Sequence, residues 1–148
     1  MRWRFRHDGT ILFANNAYAQ TIGTTPEELV QNSFWDFIPE ADRAGVREML
    51  QTLTPDNPEV RIENRFETPN GVRWTLWFNR AIKFDDNGQV IEAQSTGVDI
   101  TERKRAEEKL LQTNAVLTAI NLNTPTLIYV KDRESRILSA NPATIEVI

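Results

Sequence analysis

The 148-residue chain contains no cysteine. That excludes a disulfide framework, a thiolate metal site and a thiol nucleophile, and it fits a reducing cytosol. Histidine occurs once, as His7, so a nucleophile–histidine–carboxylate set could form only through that residue. No apolar run approaches the ~20 residues of a membrane-spanning helix. The opening Met1-Arg2-Trp3-Arg4 lacks the apolar stretch of a secretory signal. A cytoplasmic location without membrane contact is therefore expected. Basic residues are in deficit, 17 against 21 acidic ones for a net charge of −4, which argues against nucleic acid as a partner. No glycine-rich phosphate loop is present, and Asp85-Asp86-Asn87-Gly88 lacks the spacing and closing glutamate of a calcium loop.

What is present suits one folded domain with an appendage. Hydrophobic residues make up 40% of the chain, enough for a core. Trp3 to Arg6 and Thr10 to Ala14 read as two strands joined at Asp8-Gly9. Asn15 or Asn16 caps a short helix that Gly23 stops. Thr25-Pro26-Glu27-Glu28 has the cap, first-turn proline and glutamate of a second helix start. Phe34 to Ile38 forms a compact apolar turn, and Pro39 opens a longer helix carrying Val46, Met49 and Leu50. Strands follow over Val60–Phe66, Val72–Phe84 and Gln89–Asp99, turned at Pro69-Asn70-Gly71 and at Asp85 to Gly88. The order predicts an α+β fold, an antiparallel sheet with helices on one side.

The character changes at Asp99. Asp99-Ile100-Thr101-Glu102 fits a capping box, and the next twenty residues hold neither glycine nor proline. Ala106, Leu110, Thr113, Leu117 and Ile120 fall on heptad seam positions; a coiled coil and an amphipathic helix docked on its own sheet both explain them. Ile11-Leu12-Phe13-Ala14-Asn15-Asn16-Ala17 then returns as Ile137-Leu138-Ser139-Ala140-Asn141-Pro142-Ala143, at an offset of 140 − 14 = 126 residues. Upstream, Phe5 to Asp8 aligns with Tyr129 to Asp132 if the second turn carries a two-residue insertion. The expected organisation is a domain over 1–99, a linking helix over 100–123, and over 124–148 the start of a second copy, which should be frayed or paired with another chain.

Strand–strand–short helices–three strands, ending in Gly97-Val98-Asp99-Ile100-Thr101-Glu102-Arg103-Lys104, resembles the PAS family. So do Ile11 to Tyr18, Pro69-Asn70-Gly71-Val72-Arg73-Trp74 and Thr54-Pro55-Asp56-Asn57-Pro58. The resemblance implies a five-stranded antiparallel sheet whose inner face and short helices enclose a small pocket. It also implies a bacterial sensory module, homodimeric or ligand-binding or both, in tandem upstream of an output domain such as a histidine kinase. His7 lies far in sequence from the helices that ligate haem in haem-binding members, and without cysteine the flavin-adduct chemistry of light-sensing members has no nucleophile. Neither haem nor a cysteinyl flavin is expected, and the cofactor is left unassigned. The module itself is not expected to be an enzyme.

Alternation along the strands assigns faces. Trp74, Leu76, Phe78, Arg80 and Ile82 form the more apolar face of the long strand and are expected to point to the pocket. Ala93, Ser95 and Gly97 share the inward face of the last strand by resemblance, and their small size leaves room for a ligand unless large core side chains fill it. An inward Arg80 needs either an internal carboxylate (Asp36, Glu48 or Asp99) or a carboxylate-bearing ligand. Trp77, Ala81 and Val98 are then expected on the outer face, under a helix or a second protomer. Asp99 and Thr101 are the expected strand-to-helix relay, and Ala106, Leu110, Leu117 and Ile120 the dimer seam. The alternative to a ligand sensor is a dimerisation scaffold with a filled core.

Overall fold

The computed structural model describes residues 1–147. Its first compact unit, Met1–Thr101, begins with the hairpin β1 (Arg2–Arg6) and β2 (Ile11–Ala14). Three short helices follow, α1 (Asn16–Ile22), α2 (Pro26–Leu29) and α3 (Glu40–Leu50), with a 3-10 turn over Phe34–Phe37 before α3. The meander β3 (Glu59–Thr68), β4 (Gly71–Phe84) and β5 (Val90–Asp99) completes the unit. All neighbouring strands are antiparallel in the order β2-β1-β5-β4-β3, so the opening hairpin lies against the last strand.

Local chemistry accounts for the element ends. Asn15 caps α1, its side-chain oxygen accepting from Tyr18 N at 3.0 Å, and it also accepts from Arg2 N at 3.0 Å, which ties the helix start to β1. Gly23 closes the helix in the left-handed region at φ 82°. Thr25 and Glu28 form the reciprocal capping box over Pro26. At the β1–β2 turn, Gly9 has φ 96° and lies under Trp35, where a Cβ would meet the indole at 2.4 Å; only glycine fits both conditions.

The core lies between the inner face of the sheet and these helices. Trp3, Phe5, Ile62, Phe66 and Trp77 pack from the strands against Tyr18, Leu29, Phe34, Ile38 and Val46. Each fully buried apolar side chain of this kind contributes about 1.5–3 kcal/mol. An ion pair fastens α3 to β3. Asp42 accepts from Arg65 N at 3.0 Å, Nε at 2.9 Å and Nη2 at 2.5 Å, a planar two-oxygen grip on the guanidinium. The Arg65 side-chain bonds hold the Asp42 carboxyl below its ordinary 3.8. A carboxylate with a lowered folded value stabilises fully above the unfolded value and loses that contribution as pH falls through the lowered one. Acid titration of unfolding should therefore show wild type losing stability below about pH 4, and Asp42→Asn should flatten that limb while lowering stability at neutral pH. An unchanged acid limb in the variant would remove Asp42 from the account.

The second compact unit starts at Glu102. It holds α4 (Thr101–Asn123, whose first residue belongs to the first unit), the hairpin β6 (Tyr129–Lys131) and β7 (Ile137–Ala140), and α5 (Pro142–Val147). The hairpin repeats β1–β2 bond for bond. Trp3↔Ala14, Arg4↔Phe13 and Phe5↔Ile11 return as Tyr129↔Ala140, Val130↔Ser139 and Lys131↔Ile137, with the same register shift. Asn141 occupies the place of Asn15, accepting from Ile128 N and Thr144 N at 3.0 and 3.1 Å. The offset is uniform, so the two-residue insertion expected from sequence is corrected: Asp132 corresponds to Arg6 rather than Asp8, and both turns close alike. Ser135 stands in place of Gly9 and takes the same positive-φ backbone at 63°. Asn141 is fully buried and multiply bonded in this hairpin, while Tyr129, Val130, Ile137 and Leu138 stay exposed. Among the described residues no helix is long and apolar enough to cross a membrane.

Candidate functional site

The β4–β5 register decides what faces the interior. Asp85 N donates to Gln89 O at 2.9 Å, and the Asp85 carboxylate accepts from Asn87 N and Gln89 N at 2.8 and 2.9 Å. The turn thus takes up Gln89 and sets Phe84 opposite Val90. From there Ala81 pairs with Ala93, Asn79 with Ser95 and Trp77 with Gly97. Directly opposed residues of an antiparallel pair share a face. Ala93, Ser95 and Gly97 are buried on the inner face, and so are Thr75, Trp77, Asn79 and Ala81.

This corrects the expected face of β4. Trp74 and Leu76 are half-buried on the outer side, and Phe78 and Ile82 are exposed there. Arg80 is also outside, its side chain 70% exposed and 3.6 Å from Glu59 across the strand pair. Neither the internal carboxylate partners nor a ligand carboxylate applies to it. Arg61 lies over the outward Phe78 ring at 5.2 Å. Trp77 and Ala81, expected outside, are core residues; Val98 is on the outer face and 50% exposed.

Trp77 fills the space that Gly97 leaves. A Cβ on Gly97 would come within 2.2–2.8 Å of three Trp77 ring carbons, so the indole lies flat against that backbone. Trp77 also meets Phe66 at 5.5 Å, Trp3 at 6.0 Å and Tyr18 at 6.1 Å in edge-on contacts. Trp3 stacks on Phe5 and Tyr18 at 4.4 and 5.4 Å.

Inside this aromatic shell is a cavity of about 20 Å³, room for about one water. Among the described residues its wall carries no charged side chain, but Trp3, Tyr18, Asn64 and Asn79 line it among apolar neighbours. Trp3 Nε1, Tyr18 Oη and Asn79 Nδ2 are buried, and among the described residues no protein group partners them. Thr75 Oγ1 and Ser95 Oγ, deeper on the same sheet face, are likewise unpartnered. Burial pushes the Tyr18 phenol far above its ordinary range, so it remains a neutral O–H. A cluster of buried, unsatisfied polar groups is uncommon in a packed core.

These residues were missed in the sequence. Trp3 reads only as part of the first strand and Tyr18 as part of the first helix, and the alternation that puts Trp77 outside puts Asn79 there with it. The signal that could have found them is a polar residue two positions from a tryptophan on a strand opposite three small residues: bulk must face the small side chains, and Asn79 then shares the interior.

The strand-to-helix joint is tightly bonded. Ile100 N donates to Trp74 O at 2.8 Å, and Trp74 N donates to Thr101 Oγ1 at 3.0 Å. Asp99 accepts from Thr101 N at 2.8 Å and pairs with Arg73 at 3.7 Å. Thr101, 4% exposed, begins α4 while still held by β4. Beyond it Ala106, Leu110, Leu117 and Ile120 are exposed. Leu111 and Leu122 are exposed on the other side of the helix, so apolar surface is not confined to the seam.

A family model described as the PAS fold matches residues 4–105. The two-component sensor PprA of Pseudomonas aeruginosa is 30% identical over 111 residues, 74% of this chain. The chain spans only 12% of that relative's length. A sensory box histidine kinase/response regulator from Burkholderia thailandensis has the same fold at a TM-score of 0.64 and 21% identity, over 80% of this chain and 89% of that one. The PAS domain of the Cronobacter turicensis RpfR quorum-sensing receptor, solved in complex with BDSF, gives 0.58 at 19% identity, over 68% and 92%. At these identities the structures show a shared fold alone.

Proposed function

The chain belongs to the PAS family, and from that premise we propose that it is the sensory input module of a bacterial two-component signalling protein. A small molecule enters the cavity at Trp3, Tyr18 and Asn79, and its presence is passed through Asp99 and Thr101 to α4. Two copies pair along α4 through Leu110, Leu117 and Ile120. The module supplies no catalytic group, and the output belongs to another domain, a histidine kinase by analogy with the relatives. Residues 124–148 are the opening of a second copy, a reading supported by the repeated hairpin bonds. The whole works in the cytoplasm.

The observation that carries the proposal is that three residues lining the cavity, Trp3, Tyr18 and Asn79, each hold a buried polar atom with no protein partner among the described residues, which a ligand would satisfy. The relay is supported by two backbone hydrogen bonds of Trp74, its carbonyl accepting from Ile100 N and its N–H donating to Thr101 Oγ1, because a ligand that shifts β4 must shift the root of α4. A scaffold without a ligand has one observation in its favour, the small volume left beside Trp77.

Native mass spectrometry of the purified protein, repeated after denaturation, tests the choice. The expected result is a dimer carrying a small mass increment that denaturation releases. Leu117→Asp should weaken dimerisation at least ~10-fold by placing a charge in the seam. A dimer that never gains mass, even with extracts added, would favour the scaffold; a monomer would refute the seam.

A further inference from the structure

The cavity wall also specifies the kind of molecule it accepts. Trp3 Nε1 can only donate, the Asn79 Nδ2 group donates, and the Tyr18 hydroxyl rotates to donate or accept. All three belong to side chains at least nine-tenths buried, and Trp3, Tyr18 and Asn79 line the same cavity. Among the described residues no Lys, Arg, His, Asp or Glu lines it. A carboxylate placed there would leave water without a compensating cation, which is far costlier than burying a neutral acceptor. A ligand cation would find no carboxylate there, only the neutral amide oxygen of Asn64 among the polar wall groups. Arg80, the arginine expected inside, points to the outer face.

We infer that the cavity selects small neutral molecules that present a hydrogen-bond-accepting oxygen, such as a carbonyl, to the Trp3, Tyr18 and Asn79 donors, and that it rejects carboxylates. This rests on the reading of the cavity as the ligand site. The cavity as it stands has room for about one water, so a molecule of formamide's size enters only as the aromatic wall moves apart around it, and the rings then supply its dispersion contacts.

Formamide and formate test the selection, since they share size and shape and differ in charge. Xenon serves as a probe that needs only space. The readout is the indole N–H resonance of Trp3, one of four tryptophans, identified by its loss in Trp3→Phe. Formamide should shift this resonance saturably, with millimolar or weaker affinity for so few heavy atoms. Formate should not shift it at matched concentration. Tyr18→Phe should weaken formamide ~5–10-fold while leaving xenon binding unchanged, as expected for loss of one hydrogen bond.

Formate binding as tightly as formamide would overturn the inference, as would a Tyr18→Phe variant that binds formamide normally. Binding of xenon alone would overturn it too, yet leave the cavity as a ligand site for apolar molecules. If none of the three probes moves the Trp3 resonance, the inference and the ligand-site reading fall together.

Discussion

Trp77→Ala should destabilise the domain by about 3–5 kcal/mol, the range for deleting a buried aromatic side chain. Trp77 is 5% exposed, meets three other rings and covers Gly97. Its removal takes away burial and leaves a hole that the stacked Trp3 and Tyr18 cannot close without breaking their own contacts. Trp74→Ala, three residues away on the half-buried outer side, should cost less than about 1.5 kcal/mol. Urea unfolding of both variants measures the difference. A larger loss at Trp74 than at Trp77 would mean that β4 presents its other face to the core.

Gly97→Ala should cost about 1–3 kcal/mol by overpacking, although it adds a single methyl group. The obstruction is a rigid indole, with ring atoms at 2.2, 2.5 and 2.8 Å from the new carbon, not the flexible end of a long side chain. The same substitution in a Trp77→Ala background should cost almost nothing, because the methyl group then enters the space the indole left. The two changes are therefore strongly non-additive, with a coupling close to the whole cost of Gly97→Ala. Additive losses in a denaturation cycle would show that Gly97 is needed for its backbone rather than for the approach of Trp77. Thermal shift with formamide on the same variants connects packing to ligand access, since Trp77 forms part of the cavity wall.

Both effects arise from one pair that the sequence contains but does not align. Alternation along β4 yields two nearly equivalent faces: Trp74, Leu76 and Phe78 on one, and Trp77 and Ala81 on the other. Apolar content favours the first. The Asp85 turn selects the second, because it includes Gln89 and sets Phe84 against Val90. Had the strand resumed at Gln89, Phe84 would have faced Gln89, and the Trp74 face would have joined Gly97 inside. A slip of one residue exchanges every side chain of a strand between core and solvent. Arg80 follows the same slip, from a buried guanidinium in need of an acid to a surface residue near Glu59.

The sequence by itself determined the order of elements, their caps and the family. Asn15, Gly23 and the Thr25–Glu28 box act through bonds spanning a few residues, so local spacing is enough to identify them. It determined also that Ala93, Ser95 and Gly97 are small and share one face, which the family resemblance turned inward, and that Ile11–Ala17 returns at Ile137–Ala143. Only the tertiary structure decided which tryptophan fills that room, which way Arg80 points, and that Trp3, Tyr18 and Asn79 meet at one cavity. Those three side chains come from β1, α1 and β4. Their meeting depends on strand register and on helices closing over the sheet, which are long-range outcomes of packing that no local window of sequence encodes.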